Sequence, residues 1–275
     1  MPDPRPDPQS DTELLLAAAD AAGEIACRHF QTPIEVIAKP GDLGPVTAVD
    51  LEIDRMLRAR LSAARPDYGW LSEESDDGEA RLAAERVFLV DPIDGTRSFI
   101  AGEPGFAVAL AVVERARPIA AVVHLPARRQ TYSATIGQGA FRDGLPIAVS
   151  REDRVEKATV LTARKQMLPE HWPGGLPPME RHFRSSLAWR MCLVAEGRFD
   201  AMLTFRQAFE WDIAAGALIA AEAGGRVTDG LGAELRFNSP QAMQDGVIAA
   251  PPALHRRIMA HRLPAAETGA ARPGA

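Results

Sequence analysis

Four apolar residues, Val87-Phe88-Leu89-Val90, run straight into Asp91-Pro92-Ile93-Asp94-Gly95-Thr96-Arg97-Ser98-Phe99, and no other stretch limits the possible folds as strongly. The apolar run reads as a buried strand. It is expected to stop at Asp91-Pro92, because proline has no ladder donor and biases its predecessor to extended geometry. Asp94-Gly95 then requires a tight turn. Two carboxylates three residues apart are thereby placed at the mouth of a strand. They repel unless a cation lies between them, and a hard, oxygen-liganded ion such as Mg2+ suits that place. Amides around Gly95 and Thr96 would face the same spot and attract phosphate. The competing reading of these residues alone is an ordinary Asp-Gly turn after a core strand.

A similar pattern precedes it. Gly69-Trp70-Leu71-Ser72 reads as a short strand ending in Glu73-Glu74, again acidic at its carboxyl end, the edge where α/β folds bind ligands. Two helices are expected upstream. One opens at a capping box, Ser10-Asp11-Thr12-Glu13, with Leu14, Ala18, Ala21 and Ile25 on one face. The other carries Val49, Ile53, Met56, Leu57 and Leu61 and is stopped by Pro66, after a loop from Gly41 to Pro45. Downstream, Phe106 to Glu114, Pro118 to His124, Thr131 to Thr135 and a hairpin at Asp143-Gly144 predict antiparallel sheet. The charged run Arg151 to Lys157 marks a boundary, and a strand restarts at Ala158 to Ala163. Pro169 to Pro178 is a surface loop. Ser185-Ser186-Leu187 caps a helix closed by Gly197, Arg198 to Phe205 is a strand, and Asp212 is placed to cap a last helix ending at Gly224-Gly225.

Composition narrows the function classes. At 275 residues the chain can bury one large core or two coupled ones. Its net charge of −6 offers no broad basic surface for a nucleic acid polymer, and an anionic substrate would need cations at the site. Cys27 and Cys192 form no C-x-x-C and read as reduced, buried and structural, which sets a cytoplasmic location as the default. No apolar run reaches the length of a membrane span, and the proline-rich start is no signal peptide. Residues 1–10 and 263–275 are expected to be disordered. No metal-binding histidine spacing, G-x-S-x-G elbow or Walker glycine loop occurs.

Four signals occur in order: Val46-Thr47-x-x-Asp50, Leu71-Ser72-Glu73-Glu74, Asp91-Pro92-Ile93-Asp94-Gly95-Thr96, and Trp211-Asp212-x-Ala214-Ala215-Gly216. This set resembles the lithium-sensitive, Mg2+-dependent phosphatases of the inositol monophosphatase superfamily, over about Leu14 to Ala260. The resemblance implies a layered αβαβα sandwich like that of inositol monophosphatase and fructose bisphosphatase. An α+β half (11–153) would hold most metal ligands, and an α/β half (154–262) would supply Asp212 and substrate contacts. By motif, Glu73, Asp91, Asp94, Asp212 and the Ile93 carbonyl would hold two or three Mg2+ ions. Thr96 would orient the attacking water and Asp50 accept the threonine proton, with Glu73 counted beside them as catalytic. Gly95 and Thr96 would hold the phosphate.

Substrate contacts carried over in the same way are Arg97, Ser185, Ser186, Arg206 and Asp212. A basic residue after Asp-Gly-Thr resembles the bacterial 3′(2′),5′-bisphosphate nucleotidases, as does Ser185-Ser186-Leu187. Where inositol monophosphatases carry a substrate-binding glutamate, seven residues before Asp212, this chain has Phe205. Gly44 replaces the usual serine before Pro45, and Glu210 beside Trp211 belongs to neither pattern. The resemblance thus implies hydrolysis of adenosine 3′,5′-bisphosphate to AMP, with an inositol monophosphatase or sugar bisphosphatase as the alternative and a non-catalytic metal-binding scaffold as a remote one. It implies a phosphorylated small-molecule substrate and admits a homodimer.

Overall fold

A computed structural model describes residues 6–38 and 44–263. Most of the loop expected at Gly41 to Pro45 lies outside them, as do residues 1–5 and 264–275.

The chain opens with α1 (Pro8–His29), a small hairpin of β1 (Val36–Ala38) and β2 (Pro45–Thr47), and α2 (Ala48–Ala64). α1 starts ahead of the expected capping box, so Pro8, Gln9 and Ser10 are helical where disorder is expected, and its Cys27 is exposed where a buried thiol is expected. Asp7 accepts from the Ser10 amide at 2.7 Å and Pro8 occupies the first turn, where its missing N–H is harmless. The box residues are released for tertiary contacts instead. Asp11 is fully buried and receives Arg65 Nε at 2.9 Å, Arg86 Nη1 at 3.0 Å and the Tyr68 hydroxyl at 3.0 Å. In α2 the real capping box is Thr47 with Asp50.

Next come β3 (Gly69–Ser72), β4 (Arg86–Asp94), α3 (Thr96–Ile100), β5 (Ala107–Glu114), β6 (Arg117–Leu125), β7 (Gln130–Thr135), β8 (Ala140–Arg142) and β9 (Leu145–Ile147). They form one seven-stranded sheet in that order, antiparallel apart from β3 with β4. β4 does not stop at Asp91-Pro92. It continues to Asp94 because the β4–β5 register shifts between Asp91 and Asp94, and a bulge tolerates a proline that cannot donate. The Asp143-Gly144 turn is present with both φ positive. Arg115 and Ala116 adopt the same left-handed geometry between β5 and β6 without a glycine to signal it.

The second half contains β10 (Thr159–Thr162), β11 (Glu180–His182), α4 (Leu187–Ala195), β12 (Ala201–Thr204), β13 (Ala208–Phe209), α5 (Glu210–Glu222), β14 (Arg226–Thr228), β15 (Met243–Gln244), β16 (Val247–Ala250) and α6 (Pro252–Arg262). A five-stranded mixed sheet runs β11-β10-β12-β16-β14, and β13 pairs with β15.

Alternation along β4 builds the layers. Phe88 and Val90 pack with Leu15, Ile53 and Leu57 of α1 and α2, while Val87 and Leu89 face the buried α4 and α5. Met202, Val247 and Ala249 cover those helices from the five-stranded sheet, whose other face meets Leu254 and Ile258 of α6. The order is helix, sheet, helix, sheet, helix, the expected αβαβα sandwich. Among the described residues no helix is long and apolar enough to cross a membrane.

Removing the Asp11 carboxylate leaves Arg65 and Arg86 facing a buried gap. Asp11→Ala should lower the unfolding free energy by about 3 to 5 kcal/mol in urea titrations, since a buried pair broken on one side leaves its partner uncompensated. A loss below about 1 kcal/mol would show that α1 is held by its apolar face alone.

Candidate active site

The first acidic residue comes from the β3 end. The Glu73 amide still donates to Val90 O at 3.2 Å, so the chain stays paired with β4 as it leaves the sheet. Asp91 lies in the bulge of β4, where its Oδ1 accepts from the Ile93 amide at 3.0 Å. Asp212 enters from the other half, in the first turn of α5. It is not the cap expected from its position, because α5 begins two residues earlier at Glu210. Carboxylate oxygens of Glu73, Asp91 and Asp212 lie within 4.8 Å of one another.

Electrostatics marks the cluster as strained by its own charge. Burial, then the negative charges of Glu73, Asp94, Asp212 and Asp50, push the Asp91 carboxyl well above the usual range. A hard divalent cation offsets such crowding with oxygen ligands, so this donor set fits one.

Asp94 is not one of the converging three. Its Oδ2 accepts from the Ser186 hydroxyl and the Ala188 amide, both at 2.7 Å, at the N-terminus of α4. Burial raises its carboxyl to about 6, against the opposing pull of those donors and of Arg190. Ser186 also caps α4 by accepting from the Trp189 amide at 3.0 Å, as the sequence predicts. The Ser185 hydroxyl contacts Gly105 O at 2.7 Å and Ser98 Oγ at 2.8 Å.

Asp50 stands in the first turn of α2 and meets Thr96 across the site. The Thr96 hydroxyl lies 3.3 Å from Asp50 Oδ1 and 3.1 Å from the Ile93 carbonyl. Asp50 Oδ2 is held by the Thr47 amide, at 2.9 Å, and by the Thr47 hydroxyl. Burial pushes the Asp50 carboxyl up to about 6, with the Thr47 bonds opposing and the Glu73 charge adding. Between Asp94 and Thr96, Gly95 has φ +101°, and a Cβ there would sit 3.1 Å from Gly105 O. Only glycine suits both the angle and the crowding. Arg97 and Arg206 are exposed, and Arg206 Nη1 donates to Gln207 O at 3.1 Å.

The sequence matches the inositol monophosphatase family over residues 7–267. The chain belongs to the inositol monophosphatase family. It is 32% identical over 257 residues to a histidinol-phosphatase of Chlorobaculum parvum, spanning 91% of this chain and 95% of that one. Over 208 residues it is 32% identical to the 3′(2′),5′-bisphosphate nucleotidase CysQ of Escherichia coli, spanning 74% and 84%. The solved IMPase of Thermotoga maritima superimposes with a TM-score of 0.77 at 30% identity, covering 90% of this chain and 94% of that one. Phosphomonoester hydrolysis is therefore the class of activity, and the relatives differ in the ester they are named for.

Two residues escaped the motif reading of this family member. Asp54 accepts hydrogen bonds from Ser72 and Ser75, which bracket Glu73-Glu74 and pin that segment to α2. The available signal was its spacing of four from Asp50, which puts both carboxylates on one helix face. Arg190 is buried beside Asp94 and donates to the Arg184 and Ser185 carbonyls. Burial, with Arg206 adding, lowers its pKa to about 10, while Asp94 opposes the shift. Nothing local distinguishes it from a surface arginine on a short helix.

The raised carboxylates make a pH-dependent expectation. Asp50 and Asp94 have folded-state pKa values above the unfolded value, so the metal-free fold gains stability from them below about 4 and loses it as pH rises through about 6. Divalent cations need the ionised forms. The rise in Tm produced by Mg2+, relative to excess EDTA, should grow between pH 5 and pH 7. Groups remote from the cluster, such as His255, cancel in that difference. Asp91→Asn should raise the Tm in EDTA and erase most of the Mg2+ effect; a Mg2+ effect independent of pH would contradict the assignment.

Proposed function

We propose that this chain is a Mg2+-dependent phosphatase of small doubly phosphorylated molecules, with a 3′(2′),5′-bisphosphate nucleotide as its substrate class. Glu73, Asp91, Asp94, Asp212 and the Ile93 carbonyl are the ligands this reading assigns, with two or three ions. The observation that carries it is the Thr96–Asp50 pair standing beside the Glu73, Asp91 and Asp212 cluster. When bound, Mg2+ supplies charge neutralisation and lowers the pKa of a bound water.

The chain's own groups do the rest. The Gly95 and Thr96 amides open α3 and so have no intrahelical acceptor, which leaves them to hold phosphate oxygens. With its proton directed to Asp50, the Thr96 oxygen presents a lone pair to the attacking water. As water attacks phosphorus and the ester P–O bond breaks, the water proton moves to Thr96 Oγ1 and the threonine proton to Asp50 Oδ1, while the departing alkoxide oxygen takes a proton from solvent. A carboxyl near 6 suits an acceptor working around neutral pH. Thr47 holds the other oxygen, so Asp50 cannot turn away.

Three features support the bisphosphate. Phe205 packs against Trp172 and His171, so the position where inositol monophosphatases carry a glutamate belongs here to the C-terminal core. Arg97 and Arg206 are exposed, and Arg190 feels the charge of Arg206. A guanidinium binds phosphate through a bidentate fork, whereas the amine of histidinol phosphate would meet like charge.

Phosphate release with Mg2+ should be fastest in kcat/KM on adenosine 3′,5′-bisphosphate, by about tenfold or more over inositol 1-phosphate, fructose 1,6-bisphosphate and histidinol phosphate. Preference for any of the other three would replace the substrate class and keep the phosphatase. Full turnover in excess EDTA would remove the metal. Thr96→Ala should lower kcat by about 10²- to 10⁴-fold with little change in Tm. Arg97→Ala should lower kcat/KM on the bisphosphate by about one to two orders of magnitude and spare monophosphates. Equal losses on both would reassign Arg97 to general phosphate binding.

A further inference from the structure

We propose that Asp77, Arg81, Asn238 and Glu210 form a positioning relay between Glu73 and Asp212 that sets the affinity of the acidic cluster for a divalent cation. The inference rests on the metal reading given above. Glu73 and Asp212 come from different halves of the sandwich, yet their carboxylates share a space within 4.8 Å with Asp91. Like charges held that close drive their backbones apart, so the elements carrying them need a tie.

Arg81 provides the first half of that tie. It is buried in the segment that leads from Glu73 back to β4, and its Nε and Nη2 grip Asp77 at 2.5 and 2.7 Å. Its backbone crosses β3 at Gly69, where a Cβ would stand 3.1 Å from the Arg81 Cα. From there Nη1 donates to Asn238 Oδ1 at 2.6 Å and Nη2 to Ser239 O at 3.0 Å. Asn238 Nδ2 returns a bond to Arg81 O at 3.1 Å. Arg81 is thus joined by three hydrogen bonds to a turn of the other half.

Glu210 holds the same turn from the opposite side. Its Oε2 accepts from the Asn238 amide at 2.5 Å, and its Oε1 from the Ser239 amide at 3.1 Å and Gln244 Nε2 at 3.0 Å. Glu210 is fully buried, begins α5 and lies two residues before Asp212. A cleft of about 260 Å³, lined by Leu82, Ala84, Phe237 and Asn238, borders the joint. Hydrogen bonds rather than close packing therefore fix its geometry on that side. A turn that only needed stabilising would not require a buried arginine from one half and a buried glutamate from the other.

Two variants cut the relay without touching a ligand. Asn238→Gly keeps the left-handed backbone (φ +61°) and the amide bond to Glu210 but removes both side-chain bonds to Arg81. Arg81→Met keeps buried aliphatic volume and drops every bond of the guanidinium, leaving only the backbone ones. Mg2+ binding should be measured by calorimetry on the wild type and on both variants at a temperature where circular dichroism shows each folded, together with kcat at saturating Mg2+. The expected result is a Mg2+ dissociation constant raised about tenfold or more, with kcat at saturation within about twofold. Unchanged Mg2+ affinity in folded variants, with only Tm lowered, would overturn the relay and leave a structural staple. A wild type that fails to bind Mg2+ would instead overturn the metal reading, and the relay with it.

Discussion

Repulsion among buried carboxylates is the constraint on which this structure turns. Asp91 is buried with Glu73, Asp94, Asp212 and Asp50 acting on it. Folding against that repulsion requires each acid to be carried by a backbone that is itself held firmly. Asp91 is in a paired strand, Glu73 at a strand end still bonded to β4, Asp50 in a capping box and Asp212 in a helix packed between two sheets. Buried charge that is costly in the bare fold is what makes a strong cation site when loaded.

The layered architecture supplies those supports from both sides. α2 contributes Asp50, and one turn later Asp54, which ties down the Glu73 segment through two serines. The helix layer between the sheets contributes the N-terminus of α4 to Asp94 and the first turn of α5 to Asp212. Helix N-termini present unsatisfied amides and a positive dipole to anions. For Asp94 the anion is a side chain of the other half, so the α4 amide and the Ser186 cap hold the halves together beside the acid cluster.

Membership in the phosphatase family accounts for the shared site, and the departures describe this chain in particular. Phe205 has been drawn into the C-terminal core, where it meets Trp172, His171 and the Arg262 guanidinium. Glu210, which belonged to no expected pattern, is satisfied by two backbone amides and a glutamine amide and cannot be read as an additional ligand. Both departures leave the acid cluster intact.

Much of this was legible locally. Asp94-Gly95-Thr96 had to turn, because glycine alone tolerates φ near +100° against Gly105, and the face periodicity of α2 placed Val49, Ile53, Leu57 and Leu61 in the core. The ordered acidic motifs also indicated the family and the αβαβα layers. Other features depended on partners far along the chain. Pro92 remains in β4 because β5 shifts register opposite it. Asp11 left the expected capping box because Arg65 and Arg86 were waiting in the core. That Glu73, Asp91 and Asp212 converge while Asp94 turns to Ser186 was decided by how α4 and α5 pack between the sheets. Turn chemistry and helix periodicity act over a few residues and are written in the sequence, whereas the meeting of distant carboxylates is set by register and packing, which exist only once the layers have closed.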